Sequence, residues 1–464
     1  MPNTYVLFWF DVEDCSVPQS DDAAGRIAEI LTEHGVRGTM KIVGQKARML
    51  RQRIRYKVVD ALAKHDIGYH SNWHGLRPQI ATYLAPLAWD EGAAEFERRE
   101  RQGFDDIEAL FGQHPVCYGQ PGSNWAPQVF PTLRTWDIPA YISGYGYVGL
   151  DCQPFWYGGL LNTSHMYGTR RDGSQARCHL GLNFELGTPG ALDKHKAAFA
   201  QACDALAPDG GLITAMNHPC TLVLEQWFST DLKPRHATQA GYRDFEAFVR
   251  HVLDTPGVAT TDARELITLY ADDARDHLFS RDELLALARS VQGDVTWRQL
   301  GSITVSAAEL FSLFARFLAA AEEPPESMPW AYLDGPATRL EAADTDFSVP
   351  WPQFVQAAHK AATACAKHGR VPDHVNVAGK RVFPGHFLAT AAEAVVTLIA
   401  TGRLPERVTI LPARNTVEQH VDEAAARASW KGAMAPPAGF RAPGLIELAK
   451  LQTWTLKPAV LKPR

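Results

Sequence analysis

The pentapeptide His70-Ser71-Asn72-Trp73-His74 sets two imidazoles four positions apart. On a helical turn that spacing brings both rings to one side, as a single cation requires. The pair follows the short apolar run Ile67 to Tyr69, so it stands where a strand ends and a loop opens. A second group is Phe10-Asp11-Val12-Glu13-Asp14, at the end of the first apolar run. Three carboxylates there are costly to bury unpaired, and a cation removes that cost. A third is Met216-Asn217-His218-Pro219, which closes the apolar run Gly211 to Ala215. Histidine titrates near neutrality, so one held at a strand end suits acid–base work. Taken singly, each has a structural alternative: chance spacing, a capped turn, a packed ring. Their common place at strand ends argues for a site.

The elements that must position them alternate. Tyr5 to Phe10 reads as a buried strand, Asp21 to His34 as a helix ended by Gly35, Gly38 to Val43 as a strand, and Gln45 to Lys64 as largely helical. After the short strand Ile67 to Tyr69 come a long charged helix, Trp89 to Phe111, and a strand, Val116 to Tyr118. Pro139 to Ile142, the helix Lys194 to Leu206 and the strand Gly211 to Met216 continue the series. Strand–helix alternation implies parallel strands with helical crossovers, and the C-terminal strand ends then gather the functional groups. Gly144 to Gly159, rich in Gly, Tyr and Trp, reads as loops and short strands around that site.

The order of an acidic strand end, a His-Ser-x-x-His, a Pro-Gly loop (Gln120-Pro121-Gly122-Ser123-Asn124-Trp125) and a late histidine resembles the polysaccharide deacetylase family, carbohydrate esterase family 4, also called the NodB-homology domain. Gly38-Thr39-Met40-Lys41-Ile42-Val43-Gly44 is similar to that family's second strand, which ends in a glycine before a helix. The resemblance covers about residues 4 to 270 and implies an α/β fold, a distorted (β/α) barrel. It implies a divalent metal, zinc by default with cobalt or manganese fitting as well, held by His70, His74 and a carboxylate. It implies Asp11 as the base, His218 as the acid toward the leaving amine, and Ser71 as a brace of the metal loop. The tetrahedral oxyanion would be met by the metal and by a backbone N–H of the Gly119 to Ser123 loop.

Two departures matter. The family's acidic motif has adjacent aspartates, and here Val12 and Glu13 intervene. If a loop begins after Glu13, Asp14 is the third ligand, and this is the preferred reading. If the strand continues, Asp11 and Glu13 share a face and Glu13 is the ligand. The family's third motif supplies an arginine beside the base, where Gly119 and Gln120 stand here. Gln120, Pro121 and Gly122 are expected to touch substrate. Trp73, Trp125 and Trp156 lie in or near these loops; Trp73 and Trp125 are the expected stacking surfaces for a sugar ring.

From about residue 275 the pattern turns mostly helical. Ser302 to Val305 leads into a helix, Ala307 to Ala321; Gly379 to Val382 leads into another, His386 to Ala400, and then a strand-like Val408 to Leu411. The expectation is a barrel over 1–274 and a smaller, mainly helical repeat domain over 275–464 that carries no catalytic group. Ser306-Ala307-Ala308-Glu309-Leu310-Phe311 weakly resembles the helix start of a pseudomurein-binding repeat, which implies glycan or cell-wall binding. Ala435 to Ala438 reads as a loop and Lys457 to Arg464 as a mobile basic tail.

Composition fits an ordinary globular chain of 464 residues, 46% hydrophobic and 21% charged. A net charge of -6 gives no general attraction to nucleic acid or to anionic membranes. The seven cysteines are scattered without a C-x-x-C pair, which argues against zinc fingers and a disulfide framework. Cys220 stands out because it follows His218-Pro219. No basic leader precedes the first strand, so the chain as given reads as cytoplasmic, or secreted if a signal has been removed. The expected substrate is the amide of an N-acetylated glycan. The alternatives are a small linear or cyclic amide, and glycan binding without catalysis.

Overall fold

The strand Thr4–Val12 (β1) is buried at every position, the pattern of a parallel strand covered on both faces. Its even side chains point outward: Phe8 and Phe10 meet Phe245 of the helix Arg235–Leu253 at ring centroids of 6.5 and 5.9 Å. Burying each such ring contributes about 1.5–3 kcal/mol. Its odd side chains, Trp9 and Asp11 among them, therefore point into the barrel. A computed structural model describes residues 3–144, 146–170, 172–429 and 439–462. The loop expected over Ala435 to Ala438 lies outside them.

On one side β1 pairs in parallel with Gly211–Asn217 along its length, Thr4 opposite Gly211 and Phe10 opposite Asn217. Its other side is shared. Val258–Thr261 takes the first half, and Thr39–Ile42 (β2) takes the second, with Asp11 opposite Lys41. The sheet continues in parallel through Asp66–Tyr69 (β3), Cys117–Tyr118 (β4) and Ala140–Tyr141 (β5). Leu160–Asn162 (β7) follows β5 in parallel, and Phe155–Tyr157 (β6) pairs antiparallel to β7. His179–Gly181 and Lys457–Pro458 form the two edges. Among the described residues no pairing joins those edges, so the (β/α) barrel is curled and distorted rather than closed. The helices are close to expectation: Pro18–Glu33 (α1), Gly44–Gln52 (α2) and Trp89–Phe111, the last ended by Gly112 at φ +63°.

A second core is built from Ala274 to Ile410 and is joined by Trp454. It holds two copies of one unit. In the first, Leu278–Ser280 pairs antiparallel with Ser327–Pro329, and between them lie the helix Arg281–Ser290, the hairpin Arg298–Leu300 with Ile303–Val305, and the helix Ala307–Ala319. In the second, Ser348–Pro350 pairs with Arg407–Thr409 around Trp351–His368, the hairpin Val375–Val377 with Lys380–Val382, and Pro384–Thr401. Each copy thus holds one more helix than the sequence pattern suggested. The helices pack across copies, Arg281–Ser290 on Pro384–Thr401 and Ala307–Ala319 on Trp351–His368, so neither copy forms a core alone.

The chain then returns to the barrel, which corrects the expected boundary at 275–464. Val417, Val421, Leu445, Ile446, Ala449 and Leu456 belong to the barrel's own core. Tyr157 donates its hydroxyl to the Ala449 carbonyl at 3.1 Å, and the Gly158 N–H donates to Thr455 Oγ1 at 2.8 Å. Lys457, expected in a mobile tail, is buried in the edge strand, where its ammonium pairs with Glu309 and Asp272, each at 2.8 Å. Glu309 also closes the capping box of Ser306 at the start of Ala307–Ala319. One carboxylate therefore ties the second core to the barrel.

Candidate active site

Asp11 and Glu13 leave the end of β1 on the same face, and the site grows from them. Glu13 Oε2 lies 2.9 Å from His74 Nε2 and 3.2 Å from His70 Nε2. Its other oxygen, Oε1, lies 3.9 Å from His218 Nε2. Asp11 Oδ2 is 3.4 Å from His218 Nε2, and Oδ1 is 3.6 Å from His70 Nε2. Two overlapping sets of potential metal donors result, Glu13 with His70 and His74, and Glu13 with Asp11 and His218. The alternation of β1 runs one residue past its last paired position, which is why Glu13 rather than Asp14 stands here.

Asp14, the carboxylate preferred from sequence, is turned away. Its oxygens accept from the Ser16 N–H at 3.1 Å and the Ser16 hydroxyl at 3.0 Å. Its carbonyl is held by the buried ammonium of Lys46, which pairs with Asp21 at 2.5 Å. Asp14 thus shapes the turn that follows the strand.

The histidine loop is not the helical turn that the spacing suggested. Ser71 takes a left-handed φ of +71°, and the following bend returns His74 beside His70, ring centroids 5.4 Å apart. Ser71 Oγ donates to the Trp73 carbonyl at 3.3 Å within the loop. The first N–H groups of α2 hold the loop from outside, Gly44 to the Ser71 carbonyl and Gln45 to the Asn72 carbonyl, both at 2.9 Å. These would otherwise be the orphan donors of a helix start. Close approach demands glycine here: a Cβ on Gly44 would lie 2.5 Å from Gly103 Cα, and one on Gly103 would lie 2.6 Å from Asn72 Cα. Glu100 supports the same loop, accepting from the Asn72 N–H at 2.7 Å and the Tyr69 hydroxyl at 2.6 Å. Burial raises its carboxyl above the ordinary value.

The tautomers follow from the partners. His70 Nδ1 faces the Gly119 carbonyl at 2.7 Å. A carbonyl only accepts, so Nδ1 carries the proton and Nε2 turns its lone pair to the site. Asn183 Oδ1 accepts from the His218 backbone N–H and from its ring Nδ1, both at 3.1 Å. His218 Nε2 is thereby the working nitrogen, aimed at Asp11.

Lys41 is the site residue that sequence reasoning missed. Its ammonium lies 2.8 Å from Asp11 Oδ1 and 2.9 Å from the Ile142 carbonyl, over the Trp9 ring at 3.9 Å. Where the resembled family supplies an arginine from its third loop, the cation beside Asp11 comes here from β2. Gly119 makes the room, because a Cβ there would fall 2.4 Å from Lys41 Nζ. The one signal in the sequence was a lone charge in the strand Thr39-Met40-Lys41-Ile42, since a buried lysine requires a partner.

Charge decides protonation. Burial pushes the Asp11 carboxyl up, but His70, Lys41 and His218 outweigh it and hold it below the ordinary range. Burial likewise raises Glu13, and His74 and His218 pull it well below. Burial lowers His74, yet Glu13 brings it back above the usual imidazole value. For His218 burial prevails and the ring is held below that value.

The expected substrate contacts divide. Trp73 is 45% exposed beside His74, with the Arg48 guanidinium 4.4 Å over its ring. Gln120 is buried, accepting from the Tyr141 hydroxyl at 2.6 Å and donating to the Gly122 carbonyl at 3.1 Å. The Pro121 carbonyl accepts from the Asn124 N–H at 3.1 Å, which fixes the turn through Gly122 at φ +50°. Trp125 is not a surface ring: it is 2% exposed and packs on Tyr147 at 5.1 Å, in the barrel core. Trp156 lies in β6, opposite Lys457 of the sheet's edge strand. Cys220 is buried, and burial drives its thiol well above the ordinary value.

No family model matches the chain, and no curated protein does. Solved structures do. A Mycobacterium smegmatis protein, provisionally assigned as a polysaccharide deacetylase, is 18% identical over 57% of this chain and 90% of its own, with a TM-score of 0.38. The Puue allantoinase is 14% identical over 57% and 91%, with a TM-score of 0.39. A family 4 acetyl xylan esterase from Clostridium thermocellum, solved with a cobalt ion, is 16% identical over 57% and 92%, with a TM-score of 0.33. At these values the reading of function rests on the side chains.

Proposed function

We propose that the chain is a metal-dependent hydrolase of C–N bonds that removes the acetyl group from an N-acetylated glycan. The observation that carries this reading is the meeting of Glu13 Oε2 with His74 Nε2 at 2.9 Å and His70 Nε2 at 3.2 Å. An anionic oxygen and two imidazole nitrogens that meet at one point, with Nδ1 of His70 already spent on a carbonyl, fit a divalent cation. Glu13, His70 and His74 would hold it, and the nitrogen-rich donor set favours zinc, with cobalt or manganese fitting too. Bound there, the cation would polarise a carbonyl and acidify water.

The rest follows from the chain's own groups. Asp11 is ionised, fixed at Oδ1 by Lys41, and presents Oδ2 as proton acceptor. A proton taken there is 3.4 Å from His218 Nε2. His218, neutral before the reaction, receives it and delivers it to the departing nitrogen, oriented by Asn183. The resemblance of the acidic, histidine and late-histidine motifs supports an acetyl amide as the bond cleaved. The alternative substrate, a small amide, shares every step.

Elemental analysis with a deacetylation assay tests the reading. The purified protein should hold about one zinc per chain and release acetate from N-acetylated oligosaccharide. Glu13→Gln should lose both metal and turnover, whereas Asp14→Asn should keep the metal. Full occupancy in Glu13→Gln would reject the ligand set.

A further inference from the structure

The loop from Glu225 to Leu232 follows the short 3-10 turn Pro219–Leu222 that begins after His218. Its stem is closed: Leu224 and Leu232 form an antiparallel bridge, the Glu225 N–H donates to the Asp231 carbonyl at 3.0 Å, and the Lys233 N–H donates to Val223 at 2.8 Å. At its tip stand Trp227 and Phe228. Phe228 holds a φ of +55°, a left-handed conformation that is unfavourable for a side-chain-bearing residue. Such strain persists only where the surroundings impose it, and it clusters at functional positions.

The placement of the rings says what the strain secures. Trp227 meets His218 edge-on with centroids 4.7 Å apart, and Phe228 lies 5.6 Å from His74 at a shallow angle. His218 and His74 face the two oxygens of Glu13. Two adjacent residues, their rings 6.2 Å apart, therefore each touch one of the two imidazoles that flank the Glu13 carboxylate. Phe184 backs the Trp227 ring at 4.9 Å.

Exposure separates a roof from a wall. An open groove would leave the reacting groups accessible, yet the side chains of His70, Glu13, His74, Asp11 and His218 are only 1, 3, 5, 9 and 14% exposed. A ring pair that served only to pack would be buried, yet Trp227 and Phe228 are 39 and 41% exposed. Half of the large apolar side chains exposed among the described residues, Trp73, Leu76, Trp227, Phe228 and Leu232, lie on the two loops that follow the site histidines.

We infer that the Trp227–Phe228 tip is a roof over the candidate centre that selects a small or chain-terminal acylated amine and rejects the interior of a polymer. This rests on the hydrolase reading and narrows its substrate. A terminal unit needs only a gap wide enough for its acyl group and nitrogen. An interior unit brings a neighbour on each side, and one of them must cross the line of the two rings.

Two measurements on the full chain test it. With an N-acetylated hexosamine hexamer, products mapped by mass spectrometry should be deacetylated at a terminal unit. In the Trp227→Ala/Phe228→Ala double variant the ratio of interior to terminal products should rise at least tenfold, and Phe228→Gly should move it the same way. Wild-type products already spread evenly along the hexamer, or a ratio unmoved by the variants, would overturn the proposal. The second measurement needs no turnover. Carbethoxylation of His74 and His218 in metal-free protein, followed peptide by peptide, should run at least fivefold faster in the double variant. Equal rates would overturn the roof even in an active hydrolase. A fivefold acceleration without hydrolysis of any amide or ester would instead support the roof and remove the hydrolase reading.

Discussion

Replacing Lys41 by Met keeps the length of the side chain and removes the cation that lies 2.8 Å from Asp11 Oδ1. Both partners are almost fully buried, 1 and 9% exposed, and deleting one partner of such a pair costs about 3–5 kcal/mol. Two features bring the figure to the low end. His218 and His70 remain 3.4 and 3.6 Å from the carboxylate. Asp11 can also take up a proton, because burial is the largest influence on it and acts upward. The expected loss is about 3 kcal/mol near neutral pH, read from urea unfolding of the metal-free protein. The functional loss should be larger in proportion: a protonated or rotated Asp11 no longer accepts a proton, and general-base catalysis contributes about 10²–10⁴-fold. Lys41 is a positioning residue, so the fall should appear in kcat with KM nearly unchanged. Gly119→Ala is the companion test, since its Cβ would stand 2.4 Å from the ammonium and 2.3 Å from the Ile142 carbonyl that holds it. It should move both readouts in the same direction with the charge intact, while Lys41→Arg restores part of kcat. Lys41→Met within about 0.5 kcal/mol of the parent, the range of an ordinary surface change, and with undiminished kcat would refute this account of the base.

Trp125→Ala should lower stability by about 3–5 kcal/mol and leave KM alone, because the ring fills the core; a raised KM with unchanged unfolding would return it to the substrate surface. Deleting residues 439–464 removes Leu445, Ile446, Ala449 and Leu456 from the barrel core, at about 1.5–3 kcal/mol for each large side chain. Near-ultraviolet circular dichroism should then be lost, as it should for a cut at 275. His179 gives the pH dependence: burial, with Arg177 and Lys41 nearby, lowers its imidazole to about 4. The unfolded chain binds this proton near 6.5 and the folded one does not, so stability falls as pH drops. Between pH 7.5 and 5 this group should take away at most about 2 kcal/mol, and His179→Asn should flatten that limb of a urea-midpoint profile.

The strand ends carrying Asp11, His70 and His218 were legible because a parallel strand covered on both faces is a plain apolar run and its end is the first polar residue. The choice between Glu13 and Asp14 turned on where β1 stops. Alternation alone pointed to Glu13, and the assumption of an early loop pointed away from it. Lys41 was hidden because its meaning depends on the register of β2 against β1, which sequence does not display. Trp125 misled for a related reason: an aromatic beside a turn looks alike whether its ring faces solvent or core. Ser71, by contrast, reveals its left-handed backbone only in the structure, since serine carries no signature for that conformation. The return of Pro443–Gln452 and Lys457–Pro458 to the barrel was unreadable, being a packing across nearly 300 residues of chain.

That return has a consequence for synthesis. One side of β6, Phe155-Trp156-Tyr157, is paired with β7; among the described residues its other side finds a partner only in Lys457–Pro458. At about 5–20 residues per second, a translating ribosome leaves that aromatic edge without its neighbour for some tens of seconds. An uncovered strand of this composition is a template for pairing with another chain. Nascent chains of this protein should therefore depend on chaperone capacity during elongation, and a rare-codon pause placed between the two cores should lower soluble yield without altering a single residue.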